Sequence, residues 1–459
     1  MKEKITGVVK KIFKTRFAVA FTIGIVIRLI LAPFTEHRYD MYIWRLQQAF
    51  VYCYHLNPTN LPAYAPAVYN WSYTPLWLFV LLLIYPLFAF FFPPHYPSNI
   101  ELLWEKANFG KPGENFGEGY QSFVGDRVYL PFLDMIIKMP LIISDILVAL
   151  LLMKIVNKLT EKRIAHKIAL LWLLNPYVIF ISSIWGMFDS LPALFTLLAV
   201  WLFLKNKYDK SALTFGIASL FKIYPIVLVP LLTLILYKKT KSAFSSLKYF
   251  LIPTCMTFLV TFISFAGFAS FAGQEPIATA RTLTLQLFIG RGSPDWYGQN
   301  IFTGLTPLGM LTSVFKFLDV KSNLPVSIVL MSLAIIIILT KIHRKRDFSE
   351  TDVIAYVVIG HLAIYLTYSV VNEQYIIWVL PFLLLLSANR KDLKLEYFYW
   401  TISLLAMSFT FAHYQDMSYF ISPYFVPGYP GYLPISASFG LTAAVLYLIG
   451  IKFVLKKEE

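Results

Sequence analysis

The chain has 459 residues, of which 58% are hydrophobic and only 14% are charged, and its net charge is +15. Apolar runs recur at the length that crosses a bilayer, which excludes a soluble globular protein. The basic residues stand in short clusters between those runs, for example at 154–167 and 238–241, rather than on one continuous face. This placement argues against a nucleic-acid partner and indicates a multi-pass membrane protein with its basic clusters and both termini in the cytoplasm.

The first predicted span covers about residues 17–31, and a long exterior loop rich in Tyr, Trp and Pro follows at 34–72. The apolar segment 75–92 is long enough to cross the bilayer, but crossing would place the acidic loop 94–127 in the cytoplasm. We therefore predict that 75–92 is re-entrant or interfacial and bent at Pro86, with both flanking loops exterior.

The rest of the chain alternates apolar and polar segments. Residues 211–237 are too long for one span and too short for two at about 1.5 Å per residue, so we predict two half-helices divided at Pro225. Exterior loops are predicted at 272–300 and 413–433. The other predicted spans are 131–153, 168–184, 191–204, 249–271, 301–318, 324–340, 353–371, 376–388, 397–412 and 434–451, of which 301–318 could instead lie along the interface. The predicted fold class is an all-α polytopic membrane protein, one integral membrane domain over 1–459 with about 11–13 membrane helices.

Asp40 stands just beyond the first span, in a polar and aromatic stretch that begins at His37. A carboxylate at the mouth of a membrane protein can take a proton from a hydroxyl that attacks a membrane-delivered substrate. At helical spacing Trp44, Gln47 and Gln48 share one face with this carboxylate, so an aromatic ring and two amides would lie beside it. The alternatives are a helix N-cap or surface acid for the carboxylate, and an interfacial anchor for the helix.

Three further exterior-facing stretches combine polar residues with a break in an apolar run. A lysine at such a break is costly unless it meets an anion, and phosphate is the obvious anion in a bilayer. The candidates are Asp189 after the Ser-Ser pair at 182–183, Lys222 before Ile-Tyr-Pro, and Asn372, Gln374 and Tyr375 before Leu-Pro. The alternatives are a helix cap for Asp189, a snorkelling side chain for Lys222, and ordinary loop roles for Asn372 and Gln374.

Together these stretches resemble the catalytic subunit of the first mannosyltransferase of glycosylphosphatidylinositol assembly, one of the GT-C glycosyltransferases that use a polyprenyl-phosphate sugar. The matching motifs, in order, are Tyr-Thr-Pro-Leu at 73–76, Trp-Leu-Leu-Asn-Pro at 172–176, Ser-Ser before the Asp-Ser turn at 182–190, Lys-Ile-Tyr-Pro at 222–225, and Gln-Tyr-x-x-Trp before Leu-Pro at 374–381. A weaker match runs from Arg291 through Asp295 to Asn300 and resembles that family's Arg-x-Asp and Asn-Phe-Ser stretch. The resemblance covers most of residues 20–390.

The resemblance implies a GT-C fold with the catalytic acid in the first exterior loop and the active site on the non-cytoplasmic face. By this analogy Asp40 is the catalytic base, and Lys222 and Arg291 would hold the donor phosphate. The family has Asp-x-Asp where this chain has Arg38-Tyr39-Asp40. A lone carboxylate is a poor ligand set for Mg²⁺ or Mn²⁺, so we expect no cofactor, with a divalent metal as the alternative. The other residues expected to bind substrate are Arg38, Trp44, Asp189, Asp295, Asn300, Asn372, Gln374 and Tyr375.

The sequence therefore predicts an inverting glycosyltransferase that moves a hexose, mannose favoured, from a polyprenyl-phosphate donor to a lipid-linked or glycolipid acceptor. An accessory membrane subunit stays open, because the eukaryotic relative works with one. Compact loops and close basic clusters favour a plasma membrane over the endoplasmic reticulum. The broken segment 211–237 suggests a membrane transporter or lipid flippase as the rival class, but we find no inverted repeat and few charges within the spans. A non-catalytic scaffold subunit is a third interpretation.

Overall fold

The computed structural model describes residues 2–52, 54–60, 73–91, 129–287, 303–306, 324–368, 370–414, 420 and 436–455. These parts of the chain are almost entirely helical. Two strands of two residues each, Thr303–Gly304 (β1) and Val370–Val371 (β2), pair in parallel. The prediction of an all-α polytopic protein is therefore confirmed.

The described helices divide between the two halves of the chain. Those of the first half are α1 (Lys2–Leu31), α2 (Arg38–Tyr52), α3 (Leu76–Phe91), α4 (Tyr129–Leu159), α5 (Lys162–Leu173), α6 (Pro176–Ile179), α7 (Ser190–Leu204) and α8 (Tyr208–Phe221). Those of the second half are α9 (Val229–Thr240), α10 (Ala243–Phe271), α11 (Pro276–Leu285), α12 (Leu324–Arg344), α13 (Glu350–Thr367), α14 (Leu380–Arg390), α15 (Leu393–Tyr414) and α16 (Ser436–Leu455). Short turns of other helical types lie at Phe180–Trp185 (π), Tyr224–Leu228 and Glu373–Trp378 (both 3₁₀).

Within the described residues, four helices are long and apolar enough to cross a bilayer, in α4, α10, α12 and α13. The pair formed by α5 and Pro176–Trp185 makes a fifth candidate with a bend of 47°. Shorter apolar helices lie at Leu76–Leu87, Ser190–Leu204 and Leu441–Leu455. The chain is thus a multi-pass membrane protein, and its full number of crossings stays a prediction.

The break between α5 and α6 has a local cause. The Asn175 side chain accepts a hydrogen bond from the Tyr177 backbone N–H at 2.8 Å, and Pro176 occupies the first position of α6. Both features start a new helix rather than continue the old one. The predicted span 168–184 is therefore divided at this point, and it stays a candidate span with a bend of 47°.

The break in the segment 211–237 lies where the sequence predicts it. Helix α8 ends at Phe221, Lys222 has extended backbone angles, and a 3₁₀ turn that begins at Tyr224 leads into α9. Pro225 stands in the first turn of that 3₁₀ segment, because proline has no N–H to donate to the preceding helix. The predicted division at Pro225 is confirmed, and it places Lys222 at a helix end.

The four predicted exterior loops are described in part or not at all. The loop 34–72 contains α2, and the loop 272–300 contains α11. The loop 94–127 and most of 413–433 lie outside the described residues, as does most of the predicted span 301–318. Helix α3 continues through Pro86 to Phe91, and whether it crosses the bilayer stays a prediction.

Buried charges fix α4 against the N-terminal part of the chain. Arg28 Nε donates to Asp145 Oδ2 at 3.0 Å, and both side chains are fully buried. The hydroxyls of Ser182 and Ser190 each donate to Asp145 at 2.6 Å. A buried ion pair in a membrane core requires such additional partners, because its desolvation is costly. The network joins α1, α4, the π turn and the start of α7.

A second buried network positions α2. Arg45 bridges the carboxylates of Glu36 and Asp134, and all three side chains are fully buried. Lys138 of α4 donates to the backbone carbonyls of Ser183 and Ile184, at 3.1 and 3.2 Å. Helix α2, which carries Asp40, is thereby held against α4 and against the turn that leads to Asp189.

Candidate active site

Asp40 lies in the first turn of α2, and its side chain is 15% exposed. Trp185 Nε1 donates to Asp40 Oδ2 at 2.7 Å, and His37 Nδ1 lies 3.0 Å from the same oxygen. Among the described residues, no side chain contacts Oδ1 of this carboxylate. The described residues thus fix one oxygen of this carboxylate through two ring nitrogens.

Aromatic packing fixes the two rings that hold this carboxylate. The His37 ring stacks on Trp185 with centroids 4.3 Å apart and planes 8° from parallel. The other ring nitrogen, His37 Nε2, lies 2.9 Å from the Tyr414 hydroxyl. Phe420 packs against both the His37 and Trp185 rings. The orientation of the Asp40 carboxylate is therefore set by side chains from α15 and the π turn as well as by its own helix.

The surroundings of Asp40 favour its ionised form. Burial raises the pKa of its carboxyl, but the charge and hydrogen bond of His37, the hydrogen bond from Trp185 and the charge of Lys222 outweigh burial. The pKa lies below its ordinary value of 3.8 as a result. Asp40 is thus a carboxylate at neutral pH, which is the form that can accept a proton.

Lys222 and Asp189 form a buried ion pair near this carboxylate. Lys222 Nζ lies 2.8 and 2.7 Å from the two carboxylate oxygens of Asp189, and Trp378 Nε1 donates to the same carboxylate at 2.6 Å. The Lys222 and Asp189 side chains are 2% and 0% exposed. The extended backbone after α8 and the turn before α7 bring the pair together.

Four aromatic rings from the described part of the chain lie around the ammonium group of Lys222. The distances from Nζ to the ring centroids are 5.3 Å for Tyr73, 4.9 Å for Phe188, 4.8 Å for Tyr375 and 5.6 Å for Trp378. A cation attracts the faces of such rings, and the attraction grows where water is excluded. The rings and the carboxylate of the ion pair together compensate for the burial of the lysine.

The Asn372–Trp378 region supplies a further carboxyl group. Glu373 is 6% exposed and begins the 3₁₀ turn, and the Tyr177 hydroxyl donates to its backbone carbonyl. Burial raises the pKa of Glu373 from 4.5 to about 7, the charge of Asp40 adds to this, and a hydrogen bond from Tyr414 opposes it. Glu373 therefore titrates near neutral pH, unlike Asp40.

The raised pKa of Glu373 predicts a pH-dependent stability. The folded protein holds this proton more tightly than the unfolded chain, so the stabilisation is present below about pH 4.5 and is lost as the pH rises to about 7. We expect the free energy of unfolding of the wild type in detergent to fall more between pH 5 and 8 than that of Glu373→Gln, by about 1.4 kcal/mol per pKa unit. Parallel pH profiles for the two proteins would contradict this expectation.

The structure brings several of the predicted site residues together. Asp40, Asp189, Lys222 and Tyr375 converge through the contacts above. Trp44 is 1% exposed and packs on Phe188, and the Phe188 ring in turn lies against Lys222. Trp44 therefore supports the site from the protein interior. The other predicted residues are distributed as follows: Arg38 is buried at the start of α2, Asn372 and Gln374 flank Glu373, and Arg291, Asp295 and Asn300 lie outside the described residues.

Sequence reasoning missed His37, Trp185, Glu373 and Tyr414. Glu373 stands inside a motif that the sequence singles out, between Asn372 and Gln374, but its burial cannot be read from the motif. His37 precedes Asp40 by three residues, a spacing that places both on one helical face. No local signal connects these residues with Tyr414, which is 377 positions beyond His37.

A metal ion at this site would need several carboxylate, imidazole or thiolate ligands. Across the described parts of the chain, no group of three or more His, Cys, Asp or Glu side chains is arranged to hold a metal ion. Arg38 occupies the position where the similar family carries its first carboxylate. The donor set on the described residues therefore does not fit a divalent ion.

Comparison with known proteins adds independent support for the resemblance. The family model for the GPI transamidase subunit PIG-U matches residues 120–288. GPI mannosyltransferase 1 of Saccharomyces cerevisiae is 31% identical over 103 residues, 22% of this chain and 25% of that protein. GPI mannosyltransferase 1 of Candida albicans is 33% identical over 95 residues, 20% of this chain and 24% of that protein. The matched region spans about a quarter of these curated relatives, and it confirms the similarity to the first GPI mannosyltransferase.

Proposed function

We propose that this protein is an inverting glycosyltransferase that moves a hexose, mannose favoured, from a polyprenyl-phosphate donor to a lipid-linked or glycolipid acceptor. The observation that carries the proposal is the Asp40 carboxylate, which is ionised and is held at one oxygen by His37 and Trp185, while its other oxygen makes no hydrogen bond to a side chain among the described residues. The similarity to GPI mannosyltransferase 1 supports the same reaction class. The expected architecture is that of the GT-C enzymes, with the active site on the non-cytoplasmic face and both termini in the cytoplasm.

In the proposed reaction, Asp40 removes the proton of the acceptor hydroxyl as that oxygen attacks the anomeric carbon. The new oxygen–carbon bond forms while the bond between the anomeric carbon and the phosphate oxygen breaks. The leaving polyprenyl phosphate takes the electron pair of that bond. A single base without a covalent nucleophile inverts the anomeric configuration, so a β-linked donor gives an α-linked product.

Cations near the leaving phosphate would stabilise the charge that develops there. Lys222 and Arg291 are the proposed residues. The ammonium group of Lys222 is held in place by the carboxylate of Asp189. The pair would therefore present the phosphate with an oriented ammonium group whose charge is partly neutralised. We assign no step to a metal ion, because the described donor set does not fit one.

A non-catalytic membrane subunit is the second candidate. The PIG-U family model matches residues 120–288, a region that contains Asp189 and Lys222 but not Asp40. A scaffold subunit would not consume a sugar donor and would not depend on Asp40. A transporter would show activity only in a sealed compartment. The feature that favours a transporter is the helix break between α8 and α9.

The test is donor consumption by purified protein in detergent. Polyprenyl-phosphate mannose and polyprenyl-phosphate glucose would each be offered with a total lipid extract, and mass spectrometry would follow donor loss and hexose-extended lipids. We expect consumption of one donor, at an equal rate with and without EDTA. Loss of activity in EDTA would refute metal independence, and absence of consumption by folded protein would favour the subunit. The mass of the hexose-extended lipid also identifies the acceptor, and it distinguishes a glycolipid from an inositol phospholipid.

A further inference from the structure

The end of α7 holds a lysine against a tryptophan ring. After the helix the chain turns at Asn206, which has left-handed backbone angles with φ 57°. The Lys207 N–H donates to the Leu202 carbonyl at 2.9 Å, which is the long hydrogen bond of a Schellman turn. The turn leaves Lys205 one helical turn after Trp201. Its Nζ lies 4.0 Å from the centroid of the Trp201 ring.

A second lysine approaches the same ring from another helix. Lys154 belongs to α4, and its Nζ lies 4.9 Å from the centroid of Trp201. Neither the Lys154 nor the Lys205 ammonium group makes an ion pair or a hydrogen bond with another described residue. By contrast, Lys248 is paired with Asp209 at 2.8 Å. Two cations without a counter-charge therefore meet at one ring.

Two further lysines add to this concentration of positive charge. Lys158 follows Lys154 by four residues, and Lys207 follows Lys205 by two. The pKa of Lys205 lies below its ordinary value of 10.5, because its ammonium group is partly desolvated and because the three neighbouring lysines add like charges. An anion at this surface would neutralise charges that the described side chains leave unpaired.

An exposed apolar stripe leads along α4 to these lysines. Ile143, Leu147 and Leu150 are 46%, 45% and 39% exposed, and Lys154 follows Leu150 by four residues. Spacings of three and four residues place all four side chains on one face of the helix. At a rise of 1.5 Å per residue the stripe is about 16 Å long, which is close to half the thickness of a bilayer's hydrocarbon core. A chain of one membrane leaflet therefore matches it in length.

We propose that Lys154, Trp201 and Lys205 bind one anionic glycerophospholipid, with its phosphate at the two ammonium groups and an acyl chain along the α4 stripe. Ammonium groups bind phosphate as point charges, and tryptophan is favoured at the boundary between hydrocarbon and head groups. Basic pockets between membrane helices bind anionic head groups in the same way. The stripe favours a lipid over a soluble phosphate, because a soluble anion has no acyl chain to place there.

A lipid bound in this way would join two helices. Lys154 belongs to α4 and Lys205 directly follows α7, so one phosphate that accepts from both ammonium groups would hold the two helix ends together. A lipid that only covers the apolar surface makes no such bridge. The inference does not depend on the proposed glycosyl transfer, because none of the residues proposed for that reaction belongs to this surface.

The test measures lipid binding to the purified, delipidated full chain in detergent by native mass spectrometry. Dioleoyl-phosphatidylglycerol and dioleoyl-phosphatidylcholine would be titrated separately. We expect the wild type to retain one phosphatidylglycerol at concentrations where it retains no phosphatidylcholine, and only the former to raise its unfolding temperature. A lysine near the membrane surface contributes about fivefold to the binding of an anionic lipid, so Lys154→Gln with Lys205→Gln should weaken phosphatidylglycerol binding about 30-fold.

The matched control is Lys167→Gln with Lys248→Gln, which removes the same number of charges from lysines that are paired with Glu396 and Asp209. It should bind phosphatidylglycerol as the wild type does. An equal loss in the control would show a general attraction to positive charge, and equal retention of both lipids by the wild type would show no site for an anionic head group. Either result would overturn the proposal.

Two measurements on the wild type keep the proposal testable even where a variant fails to fold. Millimolar inorganic phosphate should not displace the bound phosphatidylglycerol, and complete displacement would assign the surface to a soluble anion instead of a lipid. Raising the salt concentration should weaken the binding of phosphatidylglycerol, because exposed charges are screened. Retention that does not change with salt would overturn the role of the two lysines.

Discussion

Asp40→Asn is expected to lower the rate of hexose transfer about 10²- to 10⁴-fold while the protein stays folded. The side chain of asparagine has the shape of the carboxylate, but it cannot accept a proton from the acceptor hydroxyl. Its amide oxygen can still accept the hydrogen bond that Trp185 Nε1 makes to Oδ2, so the packing of His37 on Trp185 should survive. The measurement is kcat from donor consumption, together with the unfolding temperature in the same detergent.

The matched control for this variant is Asp209→Asn. Asp209 pairs with Lys248 at 2.8 Å, but the two side chains are 68% and 44% exposed, and Asp209 lies at the opposite end of α8 from Lys222. We expect its activity and unfolding temperature to equal those of the wild type. Full activity in Asp40→Asn would remove the assignment of Asp40 as the base, and a large loss in Asp209→Asn would show that the assay responds to general damage.

The helical architecture could be predicted from local signals. Apolar runs of bilayer length predict the order of most of the described helices, and proline marks where several of them begin. Pro225 divides 211–237 as predicted, because a proline cannot donate to the preceding turn. The same kind of local signal predicts the break at Asn175 and Pro176, because asparagine is a favoured helix N-cap and proline a favoured first helical residue.

The candidate site was predictable only in its separate pieces. Asp189 and Lys222 each stand out in the sequence as a charge at the end of an apolar run. That they neutralise each other depends on the turn before α7 and the extended backbone after α8, and neither feature is encoded in a short motif. The contact of His37 with Tyr414 joins the segment before α2 to the end of α15, which are 377 positions apart, so no local pattern predicts it.

The ion pair changes what Lys222 is expected to do. Sequence alone suggests a free cation that waits for a phosphate, whereas the structure shows an ammonium group with two short contacts to Asp189 and four rings around it. Removing only the lysine would leave a fully buried carboxylate whose remaining hydrogen-bond donor, among the residues the structure describes, is Trp378 Nε1. Such a group is costly, because a buried charge without its partner loses solvation and gains nothing in return.

Lys222→Met is therefore expected to destabilise the protein by about 3–5 kcal/mol, whereas the double variant Lys222→Met with Asp189→Asn should recover a large part of that loss. In the double variant, the amide oxygen that replaces the Asp189 carboxylate could still accept from Trp378 Nε1 without carrying a charge. The exposed pair Lys248 and Asp209, at the same distance of 2.8 Å, provides the control cycle, which should show a coupling of about 0–1 kcal/mol. Chemical unfolding of all variants in detergent measures both couplings. A cost below about 1 kcal/mol for Lys222→Met would show that the pair is not held as described.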